Sequence, residues 1–159
     1  MSRGIPLPNI AEVLGPLLQR VPVDQQPLLI AVAERLAADR YRGWADQAAP
    51  LEHRSGLLAC AAREEEIARR VEALYPAASA VQREILERSP DLVEINRTLF
   101  APYALEEQYL LQAQGERVGA ATWRAFAQQD TRVEVRDVFL SCALLEEQNA
   151  TFLESICVQ

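Results

Sequence analysis

The chain of 159 residues contains no lysine, one histidine, one methionine and six glycines. A single histidine rules out a histidine-rich metal site. The three cysteines, Cys60, Cys142 and Cys157, are odd in number and never spaced C-x-x-C, so neither a disulfide framework nor a zinc–thiolate site is expected. No window approaches the roughly 18 apolar residues of a membrane span. The opening Met-Ser-Arg-Gly-Ile-Pro-Leu-Pro lacks the continuous apolar stretch and small-residue cleavage site of a secretory signal. The expected location is therefore cytoplasmic, and an arginine-rich basic set without lysine is associated with high-GC bacterial genomes. A basic surface is missing too: the net charge is -7 and the pI about 4.8. Such a surface repels the phosphate backbone, so no nucleic-acid partner is expected, and without an apolar span no membrane partner is expected either. There is no nucleotide-binding loop, G-x-S-x-G elbow or H-E-x-x-H, which removes support for kinase and hydrolase readings.

Strand-like alternation is nearly absent as well, with Arg132–Val135 the longest case. Leucine, alanine, glutamate and arginine dominate instead, which is the composition of packed helices. Half of the residues are hydrophobic, and the length suits one domain, 1–159, with a single core. Asn9 can cap a short N-terminal helix over 9–20 that stops before Val21-Pro22. Long helices are expected over about 24–47, with Asp24 as N-cap, 51–74, 102–129, opened by Pro102, and 133–156. A crossover, 76–101, carries a shorter amphipathic piece broken at Ser89-Pro90. Short loops make helices antiparallel neighbours, whereas a long connection lets the second pair lie across the first. The expected fold is all-α, a four-helix bundle with a helical crossover.

An offset of 82 residues lays the chain on itself without a gap. Leu28, Leu29, Ala31, Glu34, Arg35, Ala38 and Arg42 meet identical residues at Leu110, Leu111, Ala113, Glu116, Arg117, Ala120 and Arg124. The match runs on through Arg54, Leu58, Cys60, Ala61, Glu64, Glu65, Ala68 and Glu72, which meet Arg136, Leu140, Cys142, Ala143, Glu146, Glu147, Ala150 and Glu154. A duplicated helical hairpin packed about a pseudo-twofold axis is the simplest origin of such a pattern.

Stripes at three- and four-residue steps then place one glutamate per long helix on an inward face. These are Glu34, Glu64, Glu116 and Glu146, with Tyr41 and Trp123 facing the same centre. The arrangement over residues 24 to 157 resembles the ferritin-like superfamily, particularly rubrerythrin-type di-iron carboxylate proteins. In that family the first and third helices each give one glutamate and the second and fourth each give Glu-x-x-His, so that six residues surround two metals. The runs 62–72 and 145–154 have this shape, but Ile67 and Asn149 stand where the histidines would be. Isoleucine cannot ligate, and asparagine offers only a neutral carbonyl. What remains, Glu34, Glu64, Glu116 and Glu146 with Asn149 as an auxiliary, is an all-oxygen set suited to hard ions.

Two functions follow from these residues. The favoured one is a non-catalytic bundle with a degenerate di-metal site and no resident cofactor, acting through self-association, as a homo-oligomer such as a dimer, or through a protein partner. The alternative is a divergent metal-carboxylate protein, an iron or manganese binder or a di-metal oxidoreductase, built on the four glutamates. Without a cation, buried glutamates must be protonated, paired or hydrated. His53 reads as a surface or capping residue, and Cys60 and Cys142 as small buried hydrophobes. Glu65 and Glu147 read as surface charges with partners one turn away, such as Arg69.

Overall fold

The computed structural model describes residues 5–47 and 49–157. The described chain is all-helical: α1 (Ile10–Leu18), α2 (Gln26–Gln47), α3 (Leu51–Glu72), α4 (Ala78–Arg88), α5 (Asp91–Thr98), α6 (Leu105–Gln129) and α7 (Val133–Cys157). Asn9 caps α1, its side chain accepting from the Ala11 and Glu12 N–H groups at 3.0 and 3.4 Å. The chain enters α2 through a single 3-10 turn, Val23–Gln25. There the Asp24 backbone carbonyl accepts from Tyr75 Oη at 2.8 Å. The crossover consists of two helices, α4 and α5, separated by Ser89-Pro90.

Helix α6 begins three residues after Pro102. Ala104 is the extended residue before it, and its N–H donates to Glu107 Oε2 at 3.0 Å. Gln108 Nε2 also donates to the Tyr103 carbonyl at 2.8 Å. Side chains inside the first turn thus satisfy backbone groups that a helix start leaves open, and they fix the start later than the proline alone suggests.

Helices α2 and α3 pack along their length, as do α6 and α7, and α3 lies directly against α7. No comparable backbone approach joins α2 to α6. Long side chains span that seam: Tyr41 to Glu116, Arg40 to Gln112 and Trp44 to Gln108. Above it lie α1 and α5. The Ile10 N–H donates to Gln114 Oε1 at 2.6 Å, and Arg20 grips both carboxylate oxygens of Asp91 at 2.9 Å.

Apolar packing separates into two main clusters. One holds Tyr41, Trp44, Leu57, Cys60, Tyr109 and Leu153. The other holds Ile67, Val71, Trp123, Phe139 and Cys142. Each of Glu34, Glu64, Glu116 and Glu146 lies where its helix passes from one cluster to the other, so four acidic side chains occupy the waist of the core.

Candidate metal centre

All five residues singled out in the sequence are buried: Glu34, Glu64, Glu116, Glu146 and Asn149 are 7%, 0%, 1%, 2% and 0% exposed. Glu34, Glu64 and Glu146 each bring an oxygen to within 4.8 Å of the others. Glu116 belongs to the same waist and is held by two donors. Its Oε1 accepts from Tyr41 Oη at 2.6 Å and from Gln112 Nε2 at 2.9 Å.

Neutral donors aim two of the other carboxylates. Trp123 Nε1 donates to Glu146 Oε1 at 2.9 Å, and Asn149 Nδ2 donates to Glu64 Oε1 at 2.6 Å. Asn149 Oδ1 accepts from Arg63 Nη1 at 3.2 Å. Asn149 therefore turns its nitrogen toward the cluster and its oxygen toward Arg63, which makes it an orienting residue for Glu64. Two carboxylate oxygens, Glu64 Oε2 and Glu116 Oε2, are buried with no hydrogen-bond partner among the described residues. A buried acceptor without a donor is costly, and two in one waist are an unmet demand for protons or a cation.

Electrostatics point the same way. Burial is the main cause that pushes Glu34 above the usual carboxylate range. Glu64 lies well above it, through burial first and then the neighbouring charges of Glu116 and Glu34. Glu146 is also well above it, through burial and then the charges of Glu34 and Glu116. Like charges brought together out of water resist joint ionisation. No arginine neutralises them by direct contact among the described residues. Arg35 pairs with Glu65 and Glu72, and Arg117 with Glu154.

Space for Glu146 comes from Gly119. A Cβ there would lie 2.5 Å from Glu146 Oε1, so a side chain at this position displaces the carboxylate. The positions of Gly119 and Gln112 on the inward stripe were readable from helical spacing. The parts played by Arg63 and Arg40 were not, because each looks like one more charge on a charged helix.

Cys60 and Cys142 are buried, and burial pushes both thiols up to about 12, so they pack as neutral thiols. His53 is not the surface or capping residue expected: its side chain is 15% exposed, and both ring nitrogens are buried without a hydrogen-bond partner among the described residues, with Glu52 at 3.7 Å. Glu65 pairs across helices with Arg35 and Arg42, and Glu147 with Arg124. Glu66 is the residue that takes partners along its own helix, Arg69 and Arg70.

A two-metal centre of the Glu-x-x-His kind does not fit this donor set. Ile67 is a fully buried hydrocarbon, and Asn149 presents its nitrogen. Two of the six ligands of an oxygen-activating centre are therefore lacking. No helix is long and apolar enough to cross a membrane among the described residues. No protein-family model, curated protein sequence or solved structure matches the chain.

Proposed function

We propose that this chain is a ferritin-like four-helix bundle built from a duplicated hairpin, and that its waist binds one hard divalent cation without di-iron catalysis. Ion pairs repeated at the 82-residue offset support the duplication. Arg35–Glu72 matches Arg117–Glu154, and Arg42–Glu65 matches Arg124–Glu147. The observation that carries the cation is the convergence of Glu34, Glu64 and Glu146 within 4.8 Å, beside the partnerless Glu64 Oε2. Carboxylate oxygens favour magnesium, calcium or manganese, and a cation would replace the protons that burial otherwise draws onto these groups.

Thermal melting with and without Mn(II) tests this. A ligand at about 100 times its Kd adds about 2.7 kcal/mol, which for a domain of this size raises Tm by about 5–10 °C. Glu64→Gln removes that rise and stabilises the metal-free protein at neutral pH, because an amide that still accepts from Asn149 replaces a carboxyl whose ionisation the folded state resists. No shift with Mn(II), Mg(II) or Ca(II) refutes the cation site.

A second reading, a metal-free bundle acting by self-association or with a protein partner, draws on Leu58 and Leu140. These offset-related residues are exposed by 41% and 44%. It predicts a metal-independent Tm and a concentration-dependent sedimentation coefficient that Leu58→Glu abolishes.

A further inference from the structure

The open seam between α2 and α6 is a cavity of about 330 Å³ roofed by α1 and α5. That volume falls within the roughly 300–1,000 Å³ of small-molecule sites. Its two long walls are offset-related positions of one repeated face, including Ala33 with Gly115, Ala37 with Gly119 and Arg40 with Thr122. Small residues along both walls make it a slot. Gly15 and Gly115, which also border it, have open space where a Cβ would be. The roof contributes mainly hydrocarbon, from Leu14, Leu18, Leu92 and Leu99. Glu34, Glu116 and Glu146 flank the slot, whereas Glu64 does not border it.

One feature of the lining breaks the repeat's symmetry. Arg40 has no charged counterpart, since Thr122 stands opposite in the repeat. Its guanidinium lies over the Phe100 ring at 3.7 Å. It donates to Gln112 Oε1 at 2.6 Å and to Asn96 Oδ1, both neutral amides. It forms no ion pair with a carboxylate among the described residues, unlike Arg35, Arg42, Arg117 and Arg124. A guanidinium has five N–H donors, and these two bonds leave donors for an anionic group. Burial lowers Arg40 to about 10, so it remains charged at neutral pH.

From this geometry we infer that the slot binds a carboxylate-headed amphiphile of the fatty-acid class, its head on Arg40 and its hydrocarbon chain along α2 and α6 under the α1–α5 roof. From Arg40 to Leu29, another lining residue, the wall runs for eleven residues, about 16 Å at 1.5 Å per residue, which suits a chain of about a dozen carbons. The planar fork of arginine matches a carboxylate bidentately. An aliphatic chain in the slot removes apolar wall from water. This site adjoins the proposed cation, since Glu34 and Glu146 border both, but its anion anchor, Arg40, is not one of the clustered carboxylates, and Glu64 does not line the slot.

Calorimetric titration of the metal-free protein with dodecanoate below its micelle concentration, against dodecanol and dodecylammonium, tests the assignment. Expected are saturable one-to-one binding of dodecanoate, at least tenfold weaker binding of dodecanol and none of dodecylammonium. Arg40→Gln should weaken dodecanoate at least tenfold and leave dodecanol unchanged, and Gly115→Leu, whose side chain enters open space, should block both. Dodecylammonium binding as tightly as dodecanoate, no dodecanoate binding, or no effect of Arg40→Gln in a cooperatively melting protein would each overturn it. The head-group series needs no variant and decides the charge preference even where Arg40→Gln fails to fold. Glu64→Gln should lose its Mn(II) response and keep dodecanoate, so failure of either site is read separately.

Discussion

The seam between α3 and α7 is closed, and the seam between α2 and α6 is open, although the helices of each pair carry closely matched sequences at an offset of 82 residues. In the closed seam the backbones approach and Asn149 bonds across to Glu64 and to the Cys60 carbonyl. In the open one Tyr41, Trp44 and Tyr109 form an edge-to-face aromatic wedge at one end, and the small residues beyond it face space. Small residues bring helices together only when nothing larger on the same stripe holds them apart. The closed seam provides rigidity and the open seam provides room.

The largest effect expected from this contrast is on core truncation. Ile67→Ala, at a fully buried position, should cost about 2–5 kcal/mol. Leu36→Ala, beside the slot, should cost about 1 kcal/mol or less, since it removes fewer packed neighbours. Urea denaturation measures both, and equal losses would break the comparison.

The acidic waist sets the next effect. Glu34, Glu64 and Glu146 have folded-state values above their unfolded ones. Between those values the folded protein holds more protons than the unfolded chain, so metal-free stability falls as pH rises above about 4.5. Glu66 and Asp130 carry the opposite sign. Hydrogen bonds from Arg69 and Arg70, and from Arg132, hold these carboxylates at about 2, so their contribution is present at neutral pH and lost as pH falls below about 4. The metal-free protein should therefore melt highest near pH 5 and a few degrees lower at pH 8. Saturating Mn(II) should reverse the order, because protons no longer compete. A flat metal-free profile from pH 5 to 8 would count against an ionisable buried cluster.

Two glycines on α6 sharpen the contrast further. Gly115→Ala enters open space and should stabilise by about 0.5–1 kcal/mol through helical propensity. Gly119→Ala meets Glu146 Oε1 at 2.5 Å. It should lose that gain and at least half of the Mn(II)-induced rise in Tm, read by melting the two variants side by side.

The smallest effect concerns the repeated surface pairs. Glu72→Gln and Glu154→Gln should each cost less than about 1 kcal/mol. Glu72 should matter slightly more, because its side chain is 19% exposed against 46% for Glu154. A double-mutant cycle on each pair measures the difference.

Much of this was legible along the chain. Periodicity and proline placement marked the long helices, and the same stripes put Glu34, Glu64, Glu116 and Glu146 inside. The start of α6 was not, because Pro102 only restricts the backbone before the helix, whereas Glu107 fixes the start from within the first turn. The orientation of Asn149 was not legible either. Which end of an amide faces a carboxylate depends on what lies behind it, and here that is Arg63 from another helix.

Sequence alone determined that the chain is helical and that each long helix buries an acid, because both follow from spacing at 3.6 residues per turn. Tertiary structure alone decided that Glu34, Glu64 and Glu146 bring oxygens within 4.8 Å of one another while Glu116 is held by Tyr41 and Gln112. It also decided that one seam closes and its counterpart stays open over Arg40, which pairs with no carboxylate among the described residues. The physical reason is that inward direction is a property of one helix, whereas distance between side chains depends on how far apart their neighbours hold the helices.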